Sequence, residues 1–330
     1  MSAERRPPCH VYGPVPSRRL GRSLGVDLVP LKVCSYDCVY CQLGRTTTKT
    51  TERREWVPLA EVLPELRAKL ASAGPVDDVA LAGSGEPTLH SGLGEVIRAV
   101  RTMTSAPIAV LTNGSLLFRE DVRQDLFAAD LVLPSLDVGD EELFRIVNRP
   151  AEGIPFERMV EGLVAFTREF RGEVWLEVLL LDGATEAPSQ VAKIASLVGR
   201  IAPARVQLGT VARPPSELFA RTVSAARLLS IASLLPGRVE VLPPPGEPEA
   251  RGSGERSAGT AEVLDLLRRR PCTAEDVAEG LALHRNEATK VLDRLTAAGE
   301  VRTVVSGGRF FFVPSGAGPV PEVRGERRSG

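Results

Sequence analysis

The chain has 330 residues, a formal net charge of −1 and 43% hydrophobic residues, a length that suits one large domain plus a small one and a composition that can bury a sizeable core. The charge balance excludes a global field drawing the protein to nucleic acid or anionic membrane, and aromatic residues at 5% argue against a long base-stacking groove. No stretch of about 18 uncharged apolar residues could span a bilayer, and MSAERRPPCHVYG has no apolar core for a signal peptide, so the expected location is cytoplasmic.

In chain order, a basic run, Pro16-Ser17-Arg18-Arg19-Leu20-Gly21-Arg22, precedes the first predicted strand, residues 24–29. Further strands are expected at 78–82, 108–111, 131–136, 174–181, 205–208 and 239–242. Between them lie amphipathic stretches at 59–71, 94–102, 141–147, 156–170, 191–201 and 217–235. Strands alternating with helices of this length indicate βαβ units and a parallel sheet, either open or closed to some degree into a barrel. In such folds chemistry gathers where strands end and loops begin.

The composition shifts after residue 243 to PPPGEPEARGSGERSAG, which reads as a linker. A compact unit follows. Helices are expected at 260–270, at 274–279 after the N-cap Thr273, and at 285–297 closed by Gly299. Ser306-Gly307-Gly308 then joins two short strands as a hairpin. Three helices and a hairpin predict a winged helix. The expected division is a core at 1–243, a linker at 244–259, the winged helix at 260–314 and a disordered tail at 315–330.

The chemistry concentrates in the loop after the first strand, Cys34-Ser-Tyr-Asp-Cys38-Val-Tyr-Cys41, spaced C-x3-C-x2-C. Thiolates are soft ligands that suit iron–sulfur clusters or zinc. Three of them on one loop hold three corners of a cubane and leave the fourth iron open, whereas an electron carrier normally supplies a fourth cysteine. A zinc site would need a fourth ligand, for which His10 and His90 are the candidates. Ordinary buried cysteines are the blandest alternative. Cys9 and Cys272 stand alone in the sequence.

Other polar residues cluster at predicted strand ends. Gly83-Ser84-Gly85-Glu86-Pro87-Thr88 follows the second strand; its glycines allow close backbone approach, and Glu86 can accept from an ammonium. A plain strand-to-helix turn would read the same. Asn113-Gly114 ends the third strand and reads equally as a turn. Ser135 and Asp137 end the fourth, pointing to one side and suited to a diol. Glu177 is an acid in an apolar strand and needs a partner, which is a bound cofactor, a substrate or a structural arginine. Two loops, Asn148-Arg149-Pro150 and Arg213-Pro214-Pro215-Ser216-Glu217, carry arginines that either clamp an anion or form surface ion pairs.

The cysteine spacing, with Tyr40 directly before the third cysteine, resembles the signature of the radical S-adenosylmethionine (SAM) superfamily, and the likeness runs from about residue 13 to 243. The resemblance implies an α/β fold, a partial (β/α)6 barrel followed here by the winged helix. It implies one [4Fe-4S] cluster on Cys34, Cys38 and Cys41, with SAM on the fourth iron. Reductive cleavage of SAM then releases a 5′-deoxyadenosyl radical that takes hydrogen from a substrate. The SAM-binding positions it implies are Tyr40, Gly83, Ser84, Gly85, Glu86, Asn113, Ser135 and Asp137, with Ser84 standing where the family has glycine. Its electron would come from a reductant such as flavodoxin or ferredoxin. The string GPVPSRRLGRSLGVDLVPLKVCSYDCVYCQLG resembles the subgroup grouped with wyosine-base synthases, which act on tRNA. RNA and protein substrates both stay open, as does a cluster-dependent winged-helix regulator.

Overall fold

The computed structural model describes residues 9–17, 19–242, 259–281 and 283–316. The expected linker lies outside them except for Gly259, and so does the expected tail beyond Gly316.

β1 (Val11–Ser17) and β2 (Gly21–Val26) form an antiparallel hairpin. The cysteine loop follows, with the short pair β3 (Val33–Cys34) and β4 (Thr48–Lys49). Then come α1 (Leu59–Ser72), β5 (Asp78–Leu81), α2 (Leu93–Met103), β6 (Ile108–Thr112), α3 (Glu120–Leu126) and β7 (Leu131–Pro134). After α4 (Glu141–Leu143) and α5 (Phe156–Glu169), the chain continues through β8 (Glu173–Asp182), α6 (Pro188–Ile201) and β9 (Arg205–Thr210). β10 (Arg221–Thr222), α7 (Ala225–Ala232) and β11 (Val239–Val241) complete the large unit. The remainder is α8 (Thr260–Arg269), α9 (Ala274–Gly280), α10 (Arg285–Ala297), β12 (Val301–Ser306) and β13 (Arg309–Pro314).

The main sheet runs β1-β2-β5-β6-β7-β8-β9-β11, parallel from β2 onward, with β10 on β8. Parallel strands covered on both faces carry near-continuous apolar runs, and every residue of β5 is buried. β8 alternates instead: Val174, Leu176, Val178 and Leu180 are buried, while Trp175, Glu177 and Leu179 between them are only partly so. Its odd-numbered residues therefore share the less crowded face of the strand.

Two predicted helices changed. The stretch 217–235 is helical only over α7, because Thr222 and Val223 are drawn to the end of the sheet. Thr222 Oγ1 donates to Val211 O at 2.8 Å, Val223 N donates to Thr210 Oγ1 at 2.8 Å, and Ser224 caps α7. β-branched residues give up helix for such pairing readily. The stretch 141–147 begins as α4 and widens into a π-turn at Phe144–Asn148, where Arg149 N donates to Phe144 O at 3.1 Å and Arg149 takes φ +48°. The strand β1 was not anticipated; it covers the exposed edge of β2.

Two apolar clusters form, one from Val11 to Leu235 and one from Val263 to Val301. The second docks on the first through two arginines. Arg269 lies over the Tyr12 ring and donates to Cys9 O at 2.5 Å and Asp27 Oδ2 at 3.4 Å. Arg213 donates to Pro271 O at 3.0 Å and to Asp276 Oδ1 at 3.2 Å. Cys272 is buried in the second cluster. Among the described residues no helix is long and apolar enough to cross a membrane.

Asp78, buried at the start of β5, accepts from Ser23 Oγ at 2.7 Å, but its Oδ2 has no partner among the described residues. Burial pushes its carboxyl up to about 6. The fold thus favours the protonated form, and the stability this group contributes is full below about pH 4 and lost as pH rises through about 6. We predict that Asp78→Asn raises the urea midpoint at pH 7 while matching the wild type near about pH 4. A wild-type advantage at pH 7 would contradict this account.

Candidate functional site

The cysteine loop leaves β2 and crosses the end of the sheet, held to each strand-end turn that it passes. Lys32 N donates to Ser84 O at 2.7 Å, and Glu86 N donates to Val33 O at 3.1 Å. Asp37 N and Val39 N donate to Asn148 O and Val147 O at 3.0 and 2.9 Å. Ser216 Oγ donates to both Cys38 O and Val39 O at 2.9 Å. Outside the loop, Arg149 bonds Glu217 at 2.7 Å, Arg45 reaches Asp37 at 3.2 Å and also pairs with Glu217. The hydrogen bond from Arg149 holds the Glu217 carboxyl below its ordinary value. These arginines are thus engaged in ion pairs.

Gly85 explains one close approach. A Cβ there would stand 1.8 Å from Val33 O, so only glycine lets the two loops touch. Ser84, where the family has glycine, donates its amide to Asp27 Oδ1 at 3.0 Å and its hydroxyl to Asp27 Oδ2. Gly83 (φ +153°) passes directly over the same carboxylate.

Glu86 is buried and accepts from four protein donors: Thr88 N at 3.0 Å, Thr88 Oγ1 at 2.7 Å, Thr112 Oγ1 at 2.6 Å and Asn113 N at 2.7 Å. Burial raises its carboxyl, and those donors pull it back down. Its carboxylate therefore ties the turn after β5 to the turn after β6. Glu86→Gln presents an N–H₂ to groups that are all donors, and should cost about 1–3 kcal/mol of stability in denaturant melts of the metal-free protein. A change under about 0.5 kcal/mol would show that the clamp is dispensable.

Asp137 is equally engaged. Tyr40 OH and Asn148 Nδ2 donate to Oδ2, the latter at 2.9 Å, and Leu179 N donates to Oδ1 at 3.1 Å. Ser135 bridges Glu177 across the sheet, and Glu177 in turn pairs with Gln207 in register. Glu177 forms an ion pair with Arg19.

Each cysteine sulphur faces an N–H donor. Cys34 Sγ receives Tyr36 N at 3.5 Å and Asn113 Nδ2 at 3.6 Å; Cys38 Sγ receives Asn148 Nδ2 at 3.7 Å; Cys41 Sγ receives Lys32 Nζ at 2.9 Å. Donors of this kind suit thiolates, the form that binds iron. In the metal-free protein burial pushes Cys34 up to about 12, with the Glu86 charge adding to it, and lifts Cys38 well above its ordinary value. Metal would therefore displace protons on binding. Asn148 and Lys32 escaped the sequence reading as site residues. Asn148 stood in a loop noted only for its arginine, and Lys32 has no signal beyond lying two positions before Cys34.

The zinc alternative finds no support. His90 uses both ring nitrogens locally, Nε2 with Val57 O at 2.9 Å and Nδ1 with Gly92 N at 3.0 Å; His10 lies 3.4 Å from Glu61. Among the described residues no three His, Cys, Asp or Glu side chains converge on one ion. A cubane makes a different demand, because each thiolate holds its own iron.

The family profile described as the radical SAM superfamily matches residues 28–195, from just before the cysteine loop into α6. The chain belongs to the radical SAM superfamily. Its cofactors are accordingly a [4Fe-4S] cluster and SAM. A Helicobacter pylori (strain J99) protein named UPF0026 protein is 35% identical over 270 residues, covering 81% of this chain and 86% of its own. A Brachyspira hyodysenteriae protein named GTPase Obg is 35% identical over 304 residues, which cover 92% of this chain but only 45% of the relative. The chain thus spans less than half the length of that relative, and it contains no G-x-x-x-x-G-K-[ST] phosphate loop. A radical SAM methyltransferase from Sphaerobacter thermophilus shares the fold, with a TM-score of 0.51 at 18% identity over 66% of each chain.

Proposed function

We propose that this radical SAM protein is an enzyme that cleaves SAM reductively, with Cys34, Cys38 and Cys41 as the three protein ligands of its cluster. One observation carries the reading. The three sulphurs lie on one loop at the strand ends, each facing an N–H donor, while the other two cysteines lie elsewhere: Cys9 by Glu65 and Cys272 in the second apolar cluster. Three thiolates would leave one iron of the cluster without a protein ligand, the position that the family resemblance gives to SAM. When bound and reduced, the cluster supplies the electron that converts SAM to methionine and a 5′-deoxyadenosyl radical.

The chain's own residues set the geometry around that chemistry. With four protein donors on the Glu86 carboxylate and three on that of Asp137, their role is to hold the loops. Backbone groups of the Gly83–Gly85 turn then receive the SAM amino group and Ser135 remains for its polar edges, while Asn113, bonded to Glu86, Ser35 and Ser115 N, helps to hold the loops. The fold is read as a partial (β/α)6 barrel over 1–243, with a linker at 244–259 and a winged helix at 260–314. Two of the three cations on α10 pair with acids, Arg285 with Glu275 at 2.5 Å and Lys290 with Glu287 at 2.7 Å, which weakens a phosphate-binding reading of this helix. A substrate among RNA bases follows from the subgroup resemblance; a protein substrate is the competitor. Anaerobic reconstitution with iron and sulfide, followed by dithionite and SAM, tests the reading. 5′-Deoxyadenosine is the expected product, and a reconstituted cluster that leaves SAM intact would overturn it.

A further inference from the structure

Lys32 is only 4% exposed, and its ammonium lies 2.9 Å from Cys41 Sγ. Burying an ammonium is expensive unless a counter-charge meets it. Here the group that meets it is the Cys41 sulphur, which is a thiolate when it holds iron. The backbone holds it in place: Lys32 takes φ +65°, a left-handed conformation unusual for a residue with a Cβ. Three hydrogen bonds keep it there. Its amide donates to Ser84 O at 2.7 Å, and its carbonyl accepts from Thr47 N and Thr48 N at 3.2 and 3.1 Å. Strain of this sort persists only where the surroundings over-determine it, and it gathers at functional sites.

We propose that Lys32 is a tuning residue of the cluster: its buried ammonium, fixed against the Cys41 sulphur, favours the reduced state and raises the midpoint potential. This rests on the cysteine assignment above. In the step concerned, a low-potential one-electron donor loses one electron and the cluster gains it. No proton moves, and the cluster's formal charge falls by one. A cation at a ligand sulphur stabilises the more negative state more strongly, and hydrogen bonds and charge around the sulphurs are known levers on such potentials.

The test is an EPR-monitored potentiometric titration of the full chain, reconstituted anaerobically and without SAM, so that turnover plays no part. Lys32→Met removes charge and donor while keeping an unbranched side chain; Lys32→Arg keeps both. At a fixed potential the reduced-to-oxidised ratio should fall about tenfold in Lys32→Met, a downward shift of about 59 mV for one electron. Lys32→Arg should stay near the wild type. Equal midpoints for wild type and Lys32→Met at equal iron and sulfide content would overturn the tuning role alone. A wild type that takes up no cluster would overturn the cysteine assignment first, and this inference with it. Should Lys32→Met fail to load, Lys32→Gln against Lys32→Arg decides the matter in the same way.

Discussion

Cys41→Ala should yield a folded protein that neither assembles a [4Fe-4S] cluster nor forms 5′-deoxyadenosine from SAM. Cys41 is partly exposed, and its sulphur makes one described side-chain contact, with Lys32. Losing that sulphur leaves the buried Lys32 ammonium without its partner, so the metal-free variant should still fold but unfold about 1–3 kcal/mol more easily than the wild type. The functional loss should be complete, because two thiolates cannot hold a cubane that already lacks a fourth protein ligand. Only the wild type should gain stability on reconstitution, since a ligand bound by the native state alone stabilises it. Urea melts check the two stability statements; iron and sulfide content, the visible absorption of the cluster and chromatography of the reaction check the functional one. A Cys41→Ala protein that still cleaved SAM would remove Cys41 from the ligand set.

Gly85→Ala is expected to be the most damaging single-methyl change at the site. The added carbon would lie 1.8 Å from Val33 O and 2.9 Å from Val29 Cγ2. Val33 O cannot swing away as a side-chain end would; it belongs to the backbone immediately before Cys34 and accepts from Glu86 N at 3.1 Å. Overpacking of this kind costs about 1–3 kcal/mol and more when backbone must move, so about 3 kcal/mol is expected in urea melts. The cysteine loop should also shift against the turn after β5, with cluster retention falling alongside stability. Gly44→Ala is the control. It lies in the same loop at φ +82° with nothing within 4 Å of the added carbon, so only backbone strain of about 1–2 kcal/mol applies. If the two variants were equally stable, the contact between these turns would not be a close one.

Most strands could be placed from sequence because parallel strands buried on both faces leave continuous β-branched and apolar runs. The core helices stand out for a related reason: they bury one stripe at the helical period, as in α5 with Phe156, Met159, Val160, Leu163 and Phe166. What failed was local propensity overruled by distant partners. Residues 217–224 lost their helix to hydrogen bonds with Thr210 and Val211, and the run before β2 became a strand because β2 offered an open edge.

The candidate site divides along the same line. Cysteine spacing is a local property, since one loop must present three thiolates, and it stands in the sequence as C-x3-C-x2-C. So do the glycines that let the next turn approach. The partners of each polar side chain are another matter, because hydrogen bonds form between groups far apart in the chain. Sequence alone left Glu86 and Asp137 as candidates for SAM; the tertiary structure joins Glu86 to Thr112 and Asn113, and Asp137 to Tyr40 and Asn148. It also turned Lys32, which no spacing rule singles out, toward a cysteine sulphur. The three cysteines proposed as ligands were thus legible residue by residue. The electrostatic surroundings of those ligands exist only once distant turns meet in three dimensions.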